Sequence, residues 1–500
     1  MLEGDRILLG KAGEESVYLL PGQMNRHGMI AGASGTGKTV TLKVIAESLS
    51  DLGVPTFIAD VKGDLTGMIV PGNAEGISGR LTDMQVSAEN YCCSYPVHFF
   101  DVYGEQGHPV RAAVQNMGPL LLSRILDLSD AQEGVLSIVF KAAEEMNLDL
   151  IDLKDLQAMT AYVGEHAKDY TVKYGNVSKQ SAGAIQRKLL QLEQEGAESF
   201  FGMPELNLED WMMTEGGKGV MNILECQKLF QHPLLYSMVL FWMLSKLYEN
   251  LPEVGDLEKP KLVFFFDEAH LLFDHAPKAL MTRIEQTVKL IRSKGVGVFF
   301  ISQSPADIPD TVMSQLSHRI QHSLRAYTPA EFKQAKIAAE SFRPNPDLDA
   351  ASEITSMKTG TALVSVLDEE GAPTIVQKTK ILPPRSSMAM AAQDAIRNCI
   401  ERDSIYGKYE KSFDPASAYE AMDGLKAEEE QKKQEEEENK KQAKLEEQRQ
   451  RQEEREALKK EKEQKEWGDR LARKARNRLE NEAMNIGIRS AKKFLKGLLK

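Results

Sequence analysis

The chain has 500 residues, 42% of them hydrophobic, enough for one large or two ordinary domains with a sizeable core. Its net charge of −12 is uneven: residues 426–464 carry −2, residues 465–500 carry +7, and the first 425 carry the remaining −17. An acidic body argues against a protein that simply coats nucleic acid, while leaving room for a local basic channel.

The four cysteines, Cys92, Cys93, Cys226 and Cys399, form no CxxC pair and no Cys/His metal spacing, so no zinc site is expected. No apolar run approaches the roughly 18 residues needed to span a membrane, and MLEGDRILLGKAGEE is too polar for a secretory signal. A cytoplasmic, reducing setting is the expectation.

Residues 1–22 hold short apolar stretches such as Ser16–Leu20. Residues 28–33 read as a buried strand and Lys38–Leu52 as the helix after it. VPTFIADVKGD (54–64) and YPVHFFDV (95–102) are further strands, and this alternation predicts an α/β sheet with mainly parallel strands. From Val110 to about Thr214 the apolar residues recur at helical spacing, which predicts a helical insertion. Strand signals return at GKGVMNILEC (217–226), KLVFFFDEAH (261–270) and GVGVFFISQSP (295–305), with a long apolar helix over Leu235–Leu251. GTALVSVLDEEGAPTIVQKT (360–379) predicts a hairpin turning at Asp368–Gly371.

The expected organisation follows. Residues 1–110 and 215–384 form the two parts of one α/β core, with the helical insertion over 111–214 between them. Residues 385–425 read as a linker, 426–482 as a charged stalk and 483–500 as a basic amphipathic helix. The stalk lacks a sustained apolar seam, so an exposed helix held by i,i+4 ion pairs is expected, with disorder or a coiled coil as the other readings. In the last segment Ile488, Ala491, Leu495 and Leu498 share a face ringed by Arg489, Lys492, Lys493 and Lys496. An anionic membrane surface, DNA, a partner groove or the protein's own body would suit it.

Gly32-Ala33-Ser34-Gly35-Thr36-Gly37-Lys38-Thr39 fits G-x-x-x-x-G-K-[ST] at every fixed position, and Val40 continues into the helix. Its glycines let backbone N–H groups turn inward around phosphate, Lys38 reaches the β- and γ-phosphates of ATP, and Thr39 ligates Mg²⁺. LVFFFDEAH supplies a strand buried on both faces, with Asp267 at its carboxyl end to hold the Mg²⁺ shell and Glu268 to act as general base. VFFISQSP repeats the plan and ends in Gln303, placed to touch the γ-phosphate or the attacking water. There is one P-loop and one Asp-Glu strand, hence one lobe. A single lobe needs an arginine from a neighbouring subunit, which predicts a ring. Arg292, Arg319 and Arg325 are the candidates, with Arg319 and Arg325 favoured.

NRHGMIAGASGTGKT, ADVKGD, FFFDEAH, RSKGVGVFFISQSPADIPDTVMSQLSHRI and GTALVSVL occur here in the order of the HerA-like ATPases of the HerA–FtsK superfamily. Over about residues 15–384 the chain resembles that group, and within it the bacterial YjgR family. The resemblance implies a RecA-like P-loop core, Mg-ATP, a homo-hexamer and DNA as substrate. It matches Asp267, Glu268 and Gln303 to the group's hydrolysis residues. It also brings Asp60, Lys62 and Asp64 toward the site or a subunit interface, an exposed turn being the other reading. About 27 residues precede the P-loop strand, so the N-terminal barrel of HerA proper is not expected. Three functions stay open: a DNA-translocating or DNA-remodelling ring motor, an ATPase of the same fold acting on a protein or at a membrane surface, and a non-catalytic nucleotide-binding scaffold.

Overall fold

A computed structural model describes residues 1–274 and 278–497. Three short strands open the chain, β1 (Leu2–Glu3), β2 (Arg6–Ala12) and β3 (Glu15–Leu19). The P-loop strand β4 (Gly28–Ala31) leads into α1 (Lys38–Asp51), followed by β5 (Thr56–Asp60), α2 (Ala74–Asp83), β6 (Val97–Asp101) and β7 (His108–Pro109). Six helices follow: α3 (Val114–Ile125), α4 (Asp130–Glu145), α5 (Leu153–Glu165), α6 (Ala167–Tyr174), α7 (Lys179–Gln194) and α8 (Leu208–Trp211). This is the helical stretch that the spacing predicts.

A ribbon of β8 (Thr214–Glu215) and β9 (Lys218–Gly219) returns the chain to β10 (Met221–Glu225). Next come α9 (Pro233–Asn250), β11 (Leu262–Phe266), α10 (His270–Asp274), α11 (Lys278–Ile291), β12 (Val296–Ser302), α12 (Asp310–Met313) and β13 (His318–His322). The body ends with α13 (Pro329–Glu340), α14 (Ala350–Ser356), the hairpin β14 (Thr361–Ser365) and β15 (Gln377–Ile381), and α15 (Gln393–Arg402). The last helix is α16 (Ala418–Gly497).

Among the described residues thirteen strands form one mixed sheet in the order β1-β2-β15-β14-β13-β4-β12-β11-β5-β10-β6-β7, with β3 on β2. From β13 to β7 every pairing is parallel; from β13 to β1 every pairing is antiparallel. The parallel half explains its own sequences. β4, β5, β6, β11 and β12 are buried at every residue, so they read as continuous apolar runs rather than alternating ones. Parallel strands bring their carboxyl ends to one edge, and there stand the P-loop, Asp60, Asp101, Glu225, Asp267 and Gln303.

The chain forms two compact units, Met1–Met422 and the part from Asp423 on. The expected linker over 385–425 is therefore corrected: up to Met422 this segment is part of the body. Arg385 and Ser386 donate backbone N–H bonds to the buried Glu47 of α1 at 2.7 and 3.1 Å, and Arg385 reaches Asp51 at 2.9 Å. Ile396, Ile405 and Tyr409 are buried, and Tyr409 donates its hydroxyl hydrogen to Asp210. Short elements with a Pro- and Ser-rich entry carry a weak periodic signal, which is why composition alone suggests a linker.

Beyond Met422, α16 continues as one helix whose described residues are exposed throughout from Glu428. Glu436–Lys440, Glu447–Arg451, Glu461–Lys465 and Arg476–Glu480 pair at i,i+4 spacing, at 4.0, 2.6, 3.2 and 3.7 Å. Such pairs stabilise an exposed helix by a few tenths of a kcal/mol each. Leu498 of the expected basic amphipathic end lies outside the described residues.

Candidate nucleotide-binding and hydrolysis site

The loop between β4 and α1 is a backbone cradle fixed from below. Gly32 N–H donates to Ser302 O at 3.2 Å and Ala33 N–H to Ser323 O at 2.9 Å, tying the loop to the ends of β12 and β13. Gly360 N–H donates to Thr36 O at 2.9 Å, so the start of the β14 hairpin braces the other side. Arg80 in turn donates to Gly360 O and Ile381 O, each at 2.6 Å. Gly35 (φ 74°) and Gly37 (φ 122°) adopt left-handed backbone, open to glycine and strained for other residues. A Cβ on Gly32 would lie 2.5 Å from the Cβ of His322, so only glycine fits that approach.

His322 is the buttress. It is buried at the end of β13, its Nε2 is 2.8 Å from Thr41 Oγ1 on α1, and burial beside Lys38 pushes it down to about 4, so it is neutral. The sequence reading does not single it out. The signal available was a polar residue ending an otherwise buried strand, two strands away from the Gln303 strand.

Lys38 begins α1 and folds its Nζ back onto Gly32 O at 2.6 Å and Ala33 O at 3.3 Å. Burial lowers its pKa, opposed by Glu268 and Asp267. The ammonium thus sits in the cradle facing both carboxylates. Ser34 and Gly35 are exposed at the tip, Thr36 is buried, and Ala33, Thr39 and Val40 are half-buried.

β11 delivers Asp267 and Glu268, each 5% exposed. Glu268 has φ 49°, a left-handed conformation unusual for a residue with a side chain. Glu268 forms an ion pair with Lys62, takes a bond from Gln303 Nε2 at 3.4 Å, and lies 3.3 Å from His270 Nδ1. Burial is the largest single influence and pushes Glu268 upward, but the Lys62 bond and the charges of Lys62, Lys38 and His270 together hold the group below its ordinary value. Asp267 is pushed up to about 7 by burial, opposed by Lys62.

The ADVKGD turn therefore lies at the site. Asp60 caps it, accepting the N–H groups of Lys62, Gly63 and Leu65. Asp64 Oδ2 accepts from Thr39 Oγ1 at 3.4 Å, and its buried Oδ1 has no hydrogen-bond partner. Thr39, Asp64 and Asp267 carry hard oxygens of the kind that would suit Mg²⁺, and a divalent cation would favour the charged form of the raised Asp267.

The structure brings together Lys38, Thr39, Asp267, Glu268 and Gln303, with Lys62 and Asp64 added. It does not bring the arginines into that group. Arg319 is partly buried and donates to Ser341 O at 2.7 Å, capping the carboxyl end of α13. Arg325 is exposed beyond β13. Arg292 precedes β12, at the opposite edge of the sheet from the P-loop, and lies 3.7 Å from Asp256.

A glycine-rich loop at the end of a central parallel strand, with an Asp-Glu strand one strand removed and a polar strand end between them, defines a RecA-like P-loop ATPase. Comparison with known proteins makes the assignment particular. The chain belongs to the HerA-like helicase family, whose model, Helicase HerA-like C-terminal, matches residues 6–499. It is 20% identical over 378 residues to the DNA double-strand break repair helicase HerA of Sulfolobus acidocaldarius, covering 75% of this chain and 68% of that one. It is similar in structure to the plasmid coupling protein TrwB in complex with a non-hydrolysable ATP analogue (TM-score 0.53, 14% identity, 78% of this chain and 93% of that chain). TrwB in complex with ADP and Mg²⁺ gives 0.52 and 14%, with 78% and 94% covered. At that identity the likeness shows the fold.

Proposed function

We propose that this protein is an ATP-hydrolysing HerA-like ring motor that translocates or remodels DNA using Mg-ATP. The observation that supports the reading is the convergence of Lys38, Glu268 and Gln303 at one sheet edge, where Gln303 Nε2 lies 3.4 Å from the buried Glu268 carboxylate and that carboxylate feels the charge of the P-loop lysine. The named HerA relative supports DNA as the substrate.

In this reading the loop residues Gly32–Val40 bind the phosphates through backbone N–H groups. Lys38 neutralises charge on the β- and γ-phosphates. Thr39 and Asp267 hold Mg²⁺, which supplies charge neutralisation along the phosphates. Glu268 accepts the proton of the attacking water as its oxygen bonds to the γ-phosphorus and the β–γ anhydride bond breaks. Gln303 orients that water and the Glu268 carboxylate together. The single lobe is completed by an arginine of the neighbouring subunit in a hexamer, with Arg325, exposed and unengaged by the P-loop, better placed than Arg319.

The test is ATPase rate and mass in solution, with and without duplex and single-stranded DNA. Turnover stimulated by DNA, abolished by Lys38→Ala and accompanied by a six-fold assembly is expected. A monomer with ATP whose rate ignores both DNA forms refutes the motor. A second reading is favoured by the exposed α16 and its basic end: an ATPase of this fold acting on a protein partner or a membrane surface. Among the described residues no helix is long and apolar enough to cross a membrane. Liposome flotation of the full chain against one ending at Ala421 separates the surface-binding version, since equal behaviour removes it.

A further inference from the structure

The Glu268 carboxylate is engaged on both oxygens, Lys62 on Oε1 and Gln303 on Oε2, with His270 Nδ1 also 3.3 Å from Oε2. Each oxygen keeps a second lone pair, but an ammonium seated on Oε1 obstructs a water's approach to that oxygen and offsets the charge that makes the carboxylate basic. Lys62 and Gln303 differ in mobility. Both are exposed, but Gln303 has a short two-carbon stem rooted directly on the buried end of β12, whereas Lys62 carries its ammonium on a four-carbon stem from a turn.

The backbone beneath Lys62 is fixed. Asp60 Oδ1 accepts the N–H of Lys62 at 3.2 Å and of Gly63 at 2.8 Å, and Gln227 Nε2 donates to Lys62 O at 2.6 Å. Gly63 is left-handed (φ 73°), and a Cβ there would lie 2.2 Å from Gln227 Nε2. The ammonium can therefore relocate without moving the turn. Its second destination is close. Asp64, two residues on, touches the P-loop Thr39, and Lys62 lies near enough to Lys38 to repel its charge.

We propose that Lys62 is a phosphate-responsive latch on Glu268: it pairs with the carboxylate as in this structure, and exchanges that partner for the terminal phosphate of a bound nucleoside triphosphate, freeing Oε1 for the attacking water. The inference rests on the reading of this site as an ATPase and adds the residue that couples triphosphate binding to release of the base. A terminal phosphate carries more charge than one carboxylate and offers more acceptor oxygens, so it outcompetes Glu268 for a mobile ammonium. A diphosphate lacks that terminal group and leaves the pair closed.

The test is a binding cycle on the full chain with Mg²⁺, using ADP and an ATP analogue that is not hydrolysed at the β–γ bond. The proteins are the native chain, Lys62→Met, Glu268→Gln and the double variant. In the native chain Lys62→Met forfeits the phosphate contact but also the need to leave Glu268. In Glu268→Gln it forfeits the whole contact. The analogue is therefore expected to lose about tenfold more affinity from Lys62→Met in the Glu268→Gln background, with ADP little changed in either.

A lysine that stays fixed on Glu268 gives the opposite sign, because Lys62→Met then bares the carboxylate to phosphate only in the native chain. An equal or reversed effect, or ADP weakening as much as the analogue, overturns the latch. Turnover of Glu268→Gln tests the hydrolysis reading by itself: native-like turnover overturns that reading, whatever the sign of the binding cycle.

Discussion

Replacing His322 by glutamine isolates the electrostatic burden of the buttress beneath the P-loop. His322 is held at about 4 against an ordinary 6.5, first by burial and then by the charge of Lys38. The folded protein thus resists a proton that the unfolded chain accepts. Its stability contribution is intact above the unfolded value and is lost as pH falls from about 6.5 toward 4. At pH 5 the cost is about 2 kcal/mol, against about 0.2 kcal/mol at pH 7.

Glutamine cannot titrate, and its amide end can reach Thr41 in place of Nε2. Urea unfolding of both proteins at pH 7 and pH 5 reads the effect. The buried carboxylates Asp60, Glu225 and Asp267, which shift the other way, are common to both and cancel. His322→Gln is expected to lose about 2 kcal/mol less than the native chain between the two pH values. Equal losses would refute a neutral, buried His322.

Gly37→Ala forces a side chain into φ 122° with its Cβ 3.1 Å from His322 Cε1 and 3.2 Å from Gly360 Cα; a stability loss of about 2 kcal/mol and weakened nucleotide binding are expected, read by thermal unfolding and a nucleotide titration. His108 is buried between Asp403 at 3.1 Å and Glu410 at 2.6 Å, and although burial alone would lower its pKa the two carboxylates raise it. His108→Gln should therefore cost about 3 kcal/mol below pH 6.5, shrinking as pH rises through the elevated value; unfolding midpoints at pH 6 and 9 check the sign. A chain ending at Met422 should unfold like the full chain, whereas one ending at Pro384 loses the Arg385–Asp51 and Tyr409–Asp210 contacts and should unfold at least about 3 kcal/mol more easily in urea.

What the sequence makes legible here is what is local. The P-loop, the run Leu262–Phe266 before Asp267, and the run ending at Ser302 each carry their signal within about ten residues, because a strand buried on both faces must be apolar throughout. The hairpin over 360–379 is local too, and Asp368–Gly371 does close it, with Gly371 N–H donating to Asp368 O at 3.1 Å. The partners of these pieces are not local. Lys62 meets Glu268 across 206 residues and His322 meets Thr41 across 281. Such pairs follow from the strand order, in which β4 lies between β12 and β13 while β5 flanks β11. The segment after Pro384 shows the same limit. Ile396, Cys399 and Ile400 are spaced for one face of a helix, yet nothing adjacent tells that the sheet at β6 covers it.

The left-handed backbone at Glu268 sets stability against activity at a single position. Holding a side-chain-bearing residue at φ 49° costs the folded chain about 1 kcal/mol. Substitution there therefore has a direction. Glu268→Gly relieves the backbone while deleting the carboxylate, so a survey of variants at this position should find the unfolding midpoint and ATP turnover moving in opposite directions. On the function proposed above, a search for more stable versions of this protein would select against the residue assigned as general base.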